Sequence, residues 1–205
     1  MRPTTILTDL DGVLRLWPKD YCALENAHDL PAGSIGKTAF SPDLLEQVIT
    51  GRITDRAWRN EVKNRLRAAH PSCRVEEAVL AWSEPVGEVH QDVLDLIIRC
   101  RKHCRIGLAT NATDRLSDDL QHMGLAQHLD FVVNSSELGV AKPSPKFFAR
   151  ALALAGASTE ELLFIDDTLA NVRAAEQLGI RSHHFVGAAE LSELMQSVGV
   201  GTNAA

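Results

Sequence analysis

Thr5-Ile6-Leu7-Thr8-Asp9-Leu10-Asp11-Gly12-Val13-Leu14 is the stretch whose reading decides the fold. Its opening residues are apolar and β-branched, as expected of a stiff, buried strand. Asp9 then stands at the strand's carboxyl end. Asp11, two residues on, points to the same side if the chain stays extended. Gly12 allows a sharp turn without a Cβ penalty. Two carboxylates crowded at a strand end repel one another unless a cation or a shared proton compensates. Standing alone, the motif would read as an ordinary Asp-rich turn.

Three further signals follow, each at a strand end or a helix start. Arg105–Ala109 is a short apolar run ending in Thr110-Asn111. Gly139-Val140-Ala141-Lys142-Pro143 precedes a helix that opens Ser144-Pro145, with Ser at the cap and Pro at the first helical position. Leu162–Ile165 is a buried strand running into Asp166-Asp167-Thr168, and the next helix stops at Gly179. Each has a bland reading by itself. Thr110-Asn111 can cap a helix, Lys142-Pro143 can be a solvated loop, and Asp166-Asp167 can sit at a helix N-terminus for the sake of its dipole. What counts is that all four fall at the same end of one sheet.

In this order the four motifs resemble those of the haloacid dehalogenase superfamily of hydrolases: Asp-x-Asp, a Ser/Thr, a Lys, and an acidic pair. The resemblance covers residues 5 to about 180. It implies that Asp9 is the nucleophile, that Asp11 is a general acid and base, and that Lys142 offsets the repulsion between nucleophile and phosphate. Thr110 and the Asn111 amide are expected to bind phosphate oxygens. The implied cofactor is Mg²⁺, held by Asp9, the backbone carbonyl of Asp11 and an acid of the last motif. Asp167 lies four residues before Asn171, which assigns it as the side-chain ligand and Asp166 as the orienter of a metal-bound water. On sequence the two are interchangeable. Trp17, just beyond the nucleophile loop, either contacts the leaving group or packs on the lid.

Phosphate monoesters hydrolyse so slowly unaided that enzymes accelerate them by as much as ~10²¹-fold. Positioning and charge neutralisation do most of that work. Asp9 can attack phosphorus to form an aspartyl-phosphate, and a single carboxyl at Asp11 can protonate the leaving alkoxide and then deprotonate water. Family members that cleave carbon–halogen bonds lack this acid, so its presence favours phosphoryl transfer.

From residue 88 onward helix and strand alternate with Gly stops. Helices are expected at 90–103, 113–123, 145–155 and 168–178, and strands at 105–109, 130–133, 162–165 and 180–185. The implied fold class is α/β: a doubly wound, Rossmann-like parallel sheet. Residues 14–88 break the rhythm, with helices at about 42–50, 55–69 and 74–83 and no convincing strand. The domain expectation is a core of 1–15 and 89–205 with a helical cap, 16–88, inserted after the first strand. Ligands bind at the carboxyl edge of open parallel sheets, so the insert reads as a lid over Asp9. Gly51-Arg52-Ile53-Thr54 before a Trp-bearing helix resembles the small-cap phosphatases of sugar phosphates, including the glucose-1-phosphate type.

Composition narrows the partners. The 205 residues are 45% hydrophobic and 23% charged, with a formal net charge of −6. That charge argues against general nucleic-acid affinity. There is no bilayer-length apolar run and no room before the first strand for a signal peptide, which points to a cytoplasmic protein without membrane association. Cys22, Cys73, Cys100 and Cys104 lack redox or paired spacing and read as reduced thiols. The expected partner is a small phosphorylated metabolite, and the expected state a monomer or homodimer. Residues 199–203 read as a loose tail.

Some features carry less weight. Gly33-Ser34-Ile35-Gly36-Lys37-Thr38 ends like a phosphate loop, but Pro31 replaces the first glycine and no strand precedes it. Arg56, Arg59, Lys63 and Arg67 form a stripe that reads as a solvated helix face, with a substrate-facing surface as the alternative. Rival functions are a phosphoryl mutase or 2-haloacid dehalogenase on the same fold, and a receiver-like phosphorylated signalling module. Receivers begin with adjacent acids and place Lys-Pro last, the reverse of the order here.

Overall fold

The computed structural model describes residues 2–200. Strand β1 (Thr5–Thr8) lies at the centre of a five-stranded parallel sheet, with β4 (Arg105–Thr110) on one side and β6 (Leu162–Asp166) on the other. Strands β5 (Phe131–Asn134) and β7 (Arg181–His184) are the edges, so the order is β5-β4-β1-β6-β7. The chain moves outward from β1 through β4 to β5, then crosses back to β6 and β7. The carboxyl edge beside β1 is therefore the place where crossovers diverge to opposite sides, the usual ligand crevice of such sheets.

Helices α6 (Gln91–Cys100), α7 (Leu116–His122), α8 (Ser135–Leu138), α9 (Pro145–Ala155), α10 (Leu169–Glu176) and α11 (Ala188–Ser197) accompany the sheet. Neighbouring strand residues serve opposite layers. Ile6, Leu163 and Ile165 join a cluster with Val93, Ile97 and Met195. Leu7, Leu162 and Phe164 join another with Phe147 and Phe148. Phe147, Phe148 and Phe164 meet edge to face at centroid distances of 5.7 and 5.3 Å, the arrangement that ring quadrupoles favour. Both sheet faces are covered, which is why the strands are apolar without alternation.

Between β1 and α6 lie five helices: α1 (Cys22–Ala27), α2 (Ser34–Ala39), α3 (Pro42–Ile49), α4 (Asp55–Ala69) and α5 (Val75–Ser83). They enclose a separate apolar cluster that includes Leu30, Ile35, Leu44, Val62, Trp58 and Trp82. The strands entering and leaving this unit, β2 (Arg15–Leu16) and β3 (Glu88–Val89), pair antiparallel. Two residues are too few to display an alternating pattern, so this ribbon escapes a sequence reading.

Other departures have local causes. The helix expected at 113 begins at Leu116, because Asp114 Oδ1 accepts the Asp55 N–H at 2.6 Å and Thr113 donates to Asp55 at 3.1 Å. Ser41 and Ser144 stand at helix N-caps without a capping hydrogen bond, whereas Thr54 accepts from the Ala57 N–H. Helices α1, α2, α8 and α11 lack a strong sequence signal. The loop-like Gly33–Thr38 motif forms the start of α2, and the buried Glu25 carboxylate accepts the N–H groups of Gly33 and Ile35 at 2.6 and 2.7 Å. The chain's own carboxylate thus occupies the place an anion would take. Val200 is buried in the core, contrary to a loose tail from 199 onward, while 201–203 lie outside the described residues. All four cysteines are free thiols, and burial pushes Cys100 and Cys104 up to about 11 and about 12. No helix among the described residues is long and apolar enough to cross a membrane.

Candidate active site

Four separate segments reach the carboxyl edge of the central strands. Asp9 follows β1 directly, and its backbone N–H bonds the Ile165 carbonyl of the adjacent strand at 2.8 Å. Its side-chain Oδ1 accepts the Leu10 N–H at 2.7 Å, which fixes the carboxylate's orientation. Thr110 ends β4 and is buried beside it in the sheet. Asp166 ends β6, and Asp167 follows it. Lys142 arrives from the loop between α8 and α9.

The Lys142 ammonium is the hub. Its Nζ lies 2.9 Å from Asp9 Oδ1 and 2.6 Å from Asp166 Oδ2, with all three side chains almost wholly removed from solvent. Asp166 also accepts from the Asn171 amide, at 3.0 and 3.1 Å, and from the Thr168 N–H at 2.8 Å. Both its oxygens are thus engaged by the protein. Asp167 is exposed, and its carboxylate accepts from the Thr168 hydroxyl at 3.2 Å. The two adjacent acids are therefore unlike: one is locked inside, the other is turned outward.

Carboxylate oxygens of Asp9, Asp166 and Asp167 lie within 4.8 Å of one another. Three carboxylates against one ammonium leave a double negative charge in a mostly buried place, which a hard divalent cation would offset. Gly12 is shaped by the same cluster. Its φ of +79° is left-handed, and a Cβ there would sit 2.0 Å from Asp167 Oδ2. The residues present thus fit a small, oxygen-liganded cation.

Electrostatics follow this crowding. Burial pushes the Asp9 carboxyl up to about 7, with Asp166 adding to the rise and Lys142 pulling against it. Burial and the Asp166 charge likewise raise Asp167. Burial works against the Lys142 ammonium, but Asp9 and Asp166 outweigh it and its pKa stands above the ordinary lysine value.

Asp11 stands apart. Its carboxylate is outside the three-acid cluster and is gripped by Arg15, with Nε at 2.7 Å and Nη2 at 3.0 Å, and by the Trp17 indole N–H at 2.6 Å. Arg15 also reaches Asp119 of α7 at 3.1 Å. Trp17 therefore touches the Asp11 carboxylate itself, while also lining the cavity beside it. The Asn111 side chain also has a local partner. Its amide nitrogen donates to the Lys142 carbonyl at 2.9 Å and its oxygen accepts the Lys142 N–H at 2.8 Å, so it holds the lysine loop and keeps a second N–H for another acceptor. A side-chain amide matches a peptide's donor–acceptor pair, and the nearby loop takes both of its ends.

Arg15 and Arg59 are the residues that sequence reasoning missed. Arg15 is a buried cation just after an apolar run, a weak signal that only its two acidic partners explain. Arg59 turns inward from the basic stripe, ion-paired with Asp55 at 2.5 Å and lying over the rings of Trp58 and Trp82. It borders a cavity of about 430 Å³ that opens at Asp11 and Asn111 and runs under the helical insert.

Comparison with known proteins places this arrangement. The sequence model of the haloacid dehalogenase-like hydrolases matches residues 3–179. Mouse bifunctional epoxide hydrolase 2 is 26% identical over 194 residues, covering 84% of this chain and 34% of that protein. The matched stretches span about a third of the length of the curated relatives. A HAD family enzyme from Bacteroides thetaiotaomicron, solved with magnesium and inorganic phosphate, superposes with a TM-score of 0.72 at 22% identity, covering 88% of this chain and 93% of that one. A dehalogenase solved with an intermediate superposes with a TM-score of 0.71 at 15% identity over 94% and 97% of the two chains. With a parallel sheet that carries Asp9, Lys142 and the Asp166–Asp167 pair on one edge, and with a family match over most of its length, the chain belongs to the haloacid dehalogenase-like hydrolases.

Proposed function

We propose that this hydrolase is a cytoplasmic Mg²⁺-dependent phosphatase that cleaves the monoester of a small phosphorylated metabolite through an aspartyl-phosphate on Asp9. The observation that carries the reading is the pairing of two differently built acidic sites: a three-carboxylate cluster around Lys142, and Asp11 held separately two residues from the nucleophile. Carbon–halogen cleavage has no use for an acid at the second position, whereas an alkoxide leaving group needs its proton.

Asp9 attacks phosphorus and the bond from phosphorus to the ester oxygen breaks. Asp11 gives its proton to that departing oxygen. Asp11 then takes a proton from water, which attacks the phosphorus of the acyl-phosphate, and phosphate leaves as the Asp9 carboxylate is restored. Lys142 neutralises part of the charge that builds between nucleophile and phosphoryl group. Thr110 supplies a hydroxyl for a phosphate oxygen. Asp9, Asp167 and the Asp11 backbone carbonyl would hold Mg²⁺, and Asp166, already committed to Lys142 and Asn171, would orient its water. When bound, the ion supplies the positive charge that lets a carboxylate approach an anionic phosphate.

The helical unit between β2 and β3 acts as the cap over this edge, dividing the chain into 1–15 with 89–205 and 16–88. A sugar phosphate is the substrate that the Gly51–Thr54 resemblance favours. Phosphate release should be measured from acetyl phosphate and a panel of monoesters, with Mg²⁺ and with a chelator, beside halide release from 2-haloacids. Metal-dependent phosphate release supports the proposal. Halide without phosphate, or isomerised product without free phosphate, overturns it in favour of a dehalogenase or a mutase.

A further inference from the structure

The cavity under the helical insert has a wall of rings. Tyr21 meets Trp82 at 6.4 Å and 87°, Trp82 meets Trp58 at 5.2 Å and 70°, and Trp58 meets Phe40 at 6.2 Å and 50°. All four rings border the space, as do Leu45 and Val48 of α3. The guanidinium of Arg59 lies 5.4 and 5.0 Å from the two indole centroids.

Asp11, Arg15, Asp55, Arg59, Thr113 and Asp119 of the same walls are already bonded to one another, while Lys19 is exposed. Arg59 donates to both oxygens of Asp55, and Asp55 accepts from Thr113 as well. Arg15 is shared between Asp11 and Asp119. The Asn111 amide is closed on the Lys142 backbone. A polyol entering this space would shed water from several hydroxyls and find few partners, and each unsatisfied group costs affinity. A planar apolar body sheds water at a gain and meets ring faces and edges. Arg59 carries the Asp55 counter-charge and Arg15 those of Asp11 and Asp119, so neither is free for a second anionic group on the substrate; Lys19, also on the lining, is turned to solvent. A volume of about 430 Å³ suits a compact ring system rather than a long chain.

We infer that the leaving group of the substrate carries a flat aromatic ring, as an aromatic alcohol or the base of a nucleoside does, seated against Tyr21, Trp82, Trp58 and Phe40, rather than being a bare polyol. The inference rests on the phosphatase reading, concerns the other half of the same substrate, and sets the cavity's lining against the sugar phosphate that the Gly51–Thr54 resemblance favours.

The test compares primary monophosphates in matched pairs, so that leaving-group chemistry is held nearly constant: 2-phenylethyl phosphate with glycerol 3-phosphate, and inosine 5′-monophosphate with glucose 6-phosphate. Acetyl phosphate, too small to reach the rings, reports the phosphoryl chemistry alone. The aromatic member of at least one pair should have the higher kcat/KM by roughly ten-fold or more, the scale of one base stacked on an aromatic side chain. In Trp82→Leu and Phe40→Ala the aromatic-to-polyol ratio should fall towards one. The ratio is taken within each variant, so a general loss of active protein cancels. Phe40 is largely exposed, which keeps its variant informative if Trp82→Leu fails to fold. Equal or better hydrolysis of both polyol phosphates overturns the inference and leaves the phosphatase reading standing. Absence of phosphate release from acetyl phosphate and from every monoester overturns that reading, and this inference with it.

Discussion

The two sides of the crevice are built on opposite principles. On the sheet edge, Asp9, Lys142, Asp166 and Asn171 form a buried polar network joined by contacts of 3.1 Å or less. Under the insert, rings and aliphatic side chains dominate, and the charged groups there neutralise one another in pairs. The first side must hold charges in fixed places for a reaction common to many substrates. The second must admit one shape and exclude others. A buried ionic network is costly to rearrange, whereas an apolar wall can change its residues with little penalty. On the proposed reading, chemistry belongs to the core and choice to the insert.

The sharpest way to break this division is to remove the nucleophile. Asp9→Asn should lower phosphate release by about 10⁴-fold or more, the scale at which loss of a nucleophile is felt, while circular dichroism stays native. An active Asp9→Asn protein would refute the assignment. Asp11→Asn should cost ~10²–10⁴-fold on alkyl monoesters, the usual worth of a general acid, and much less on aryl monoesters whose leaving groups need no proton. Equal losses on both would remove the acid role from Asp11.

Stability against pH sharpens the comparison further. The raised Asp9 pKa means that the folded, metal-free protein holds a proton that the unfolded chain releases between the ordinary value of 3.8 and about 7. The stabilisation from this group is fully present below pH 3.8 and is lost as pH rises through about 7. Chemical denaturation of metal-free protein should show a contribution of roughly a few kcal/mol with that sign, and Asp9→Asn should remove it. Saturating Mg²⁺ should counter it, since a ligand at a hundred times its Kd stabilises by about 2.7 kcal/mol. The smallest effect belongs to the insert. Thr54→Ala deletes the N-cap of α4 and should cost about 1 kcal/mol in unfolding, with acetyl phosphate turnover little changed.

Much of this was legible before any coordinates. The TILT run predicts the buried central strand, the Gly-terminated helices after residue 88 predict the parallel sheet, and the four motifs include Asp9 and Asp166, the two carboxylates that Lys142 meets. The bounds of α4 and α9 agree to the residue, because each has a Thr or Ser at its start and a strong apolar period. The β2–β3 ribbon was invisible because it is two residues deep. Arg59 was read as solvated because nothing in a helical stripe says which of its cations folds back over an indole.

The sequence by itself determined the order of chemical groups along the chain and the strand ends that present them, since both depend on local conformation and apolar period. Only the tertiary structure decided which of two neighbouring acids is sealed inside and which faces out, that Asn111 serves the lysine loop, and that Arg15 spans Asp11 and Asp119. Those outcomes depend on which distant partner arrives within three ångströms. That is a property of packing between segments 24 to 104 residues apart, and no local pattern encodes it.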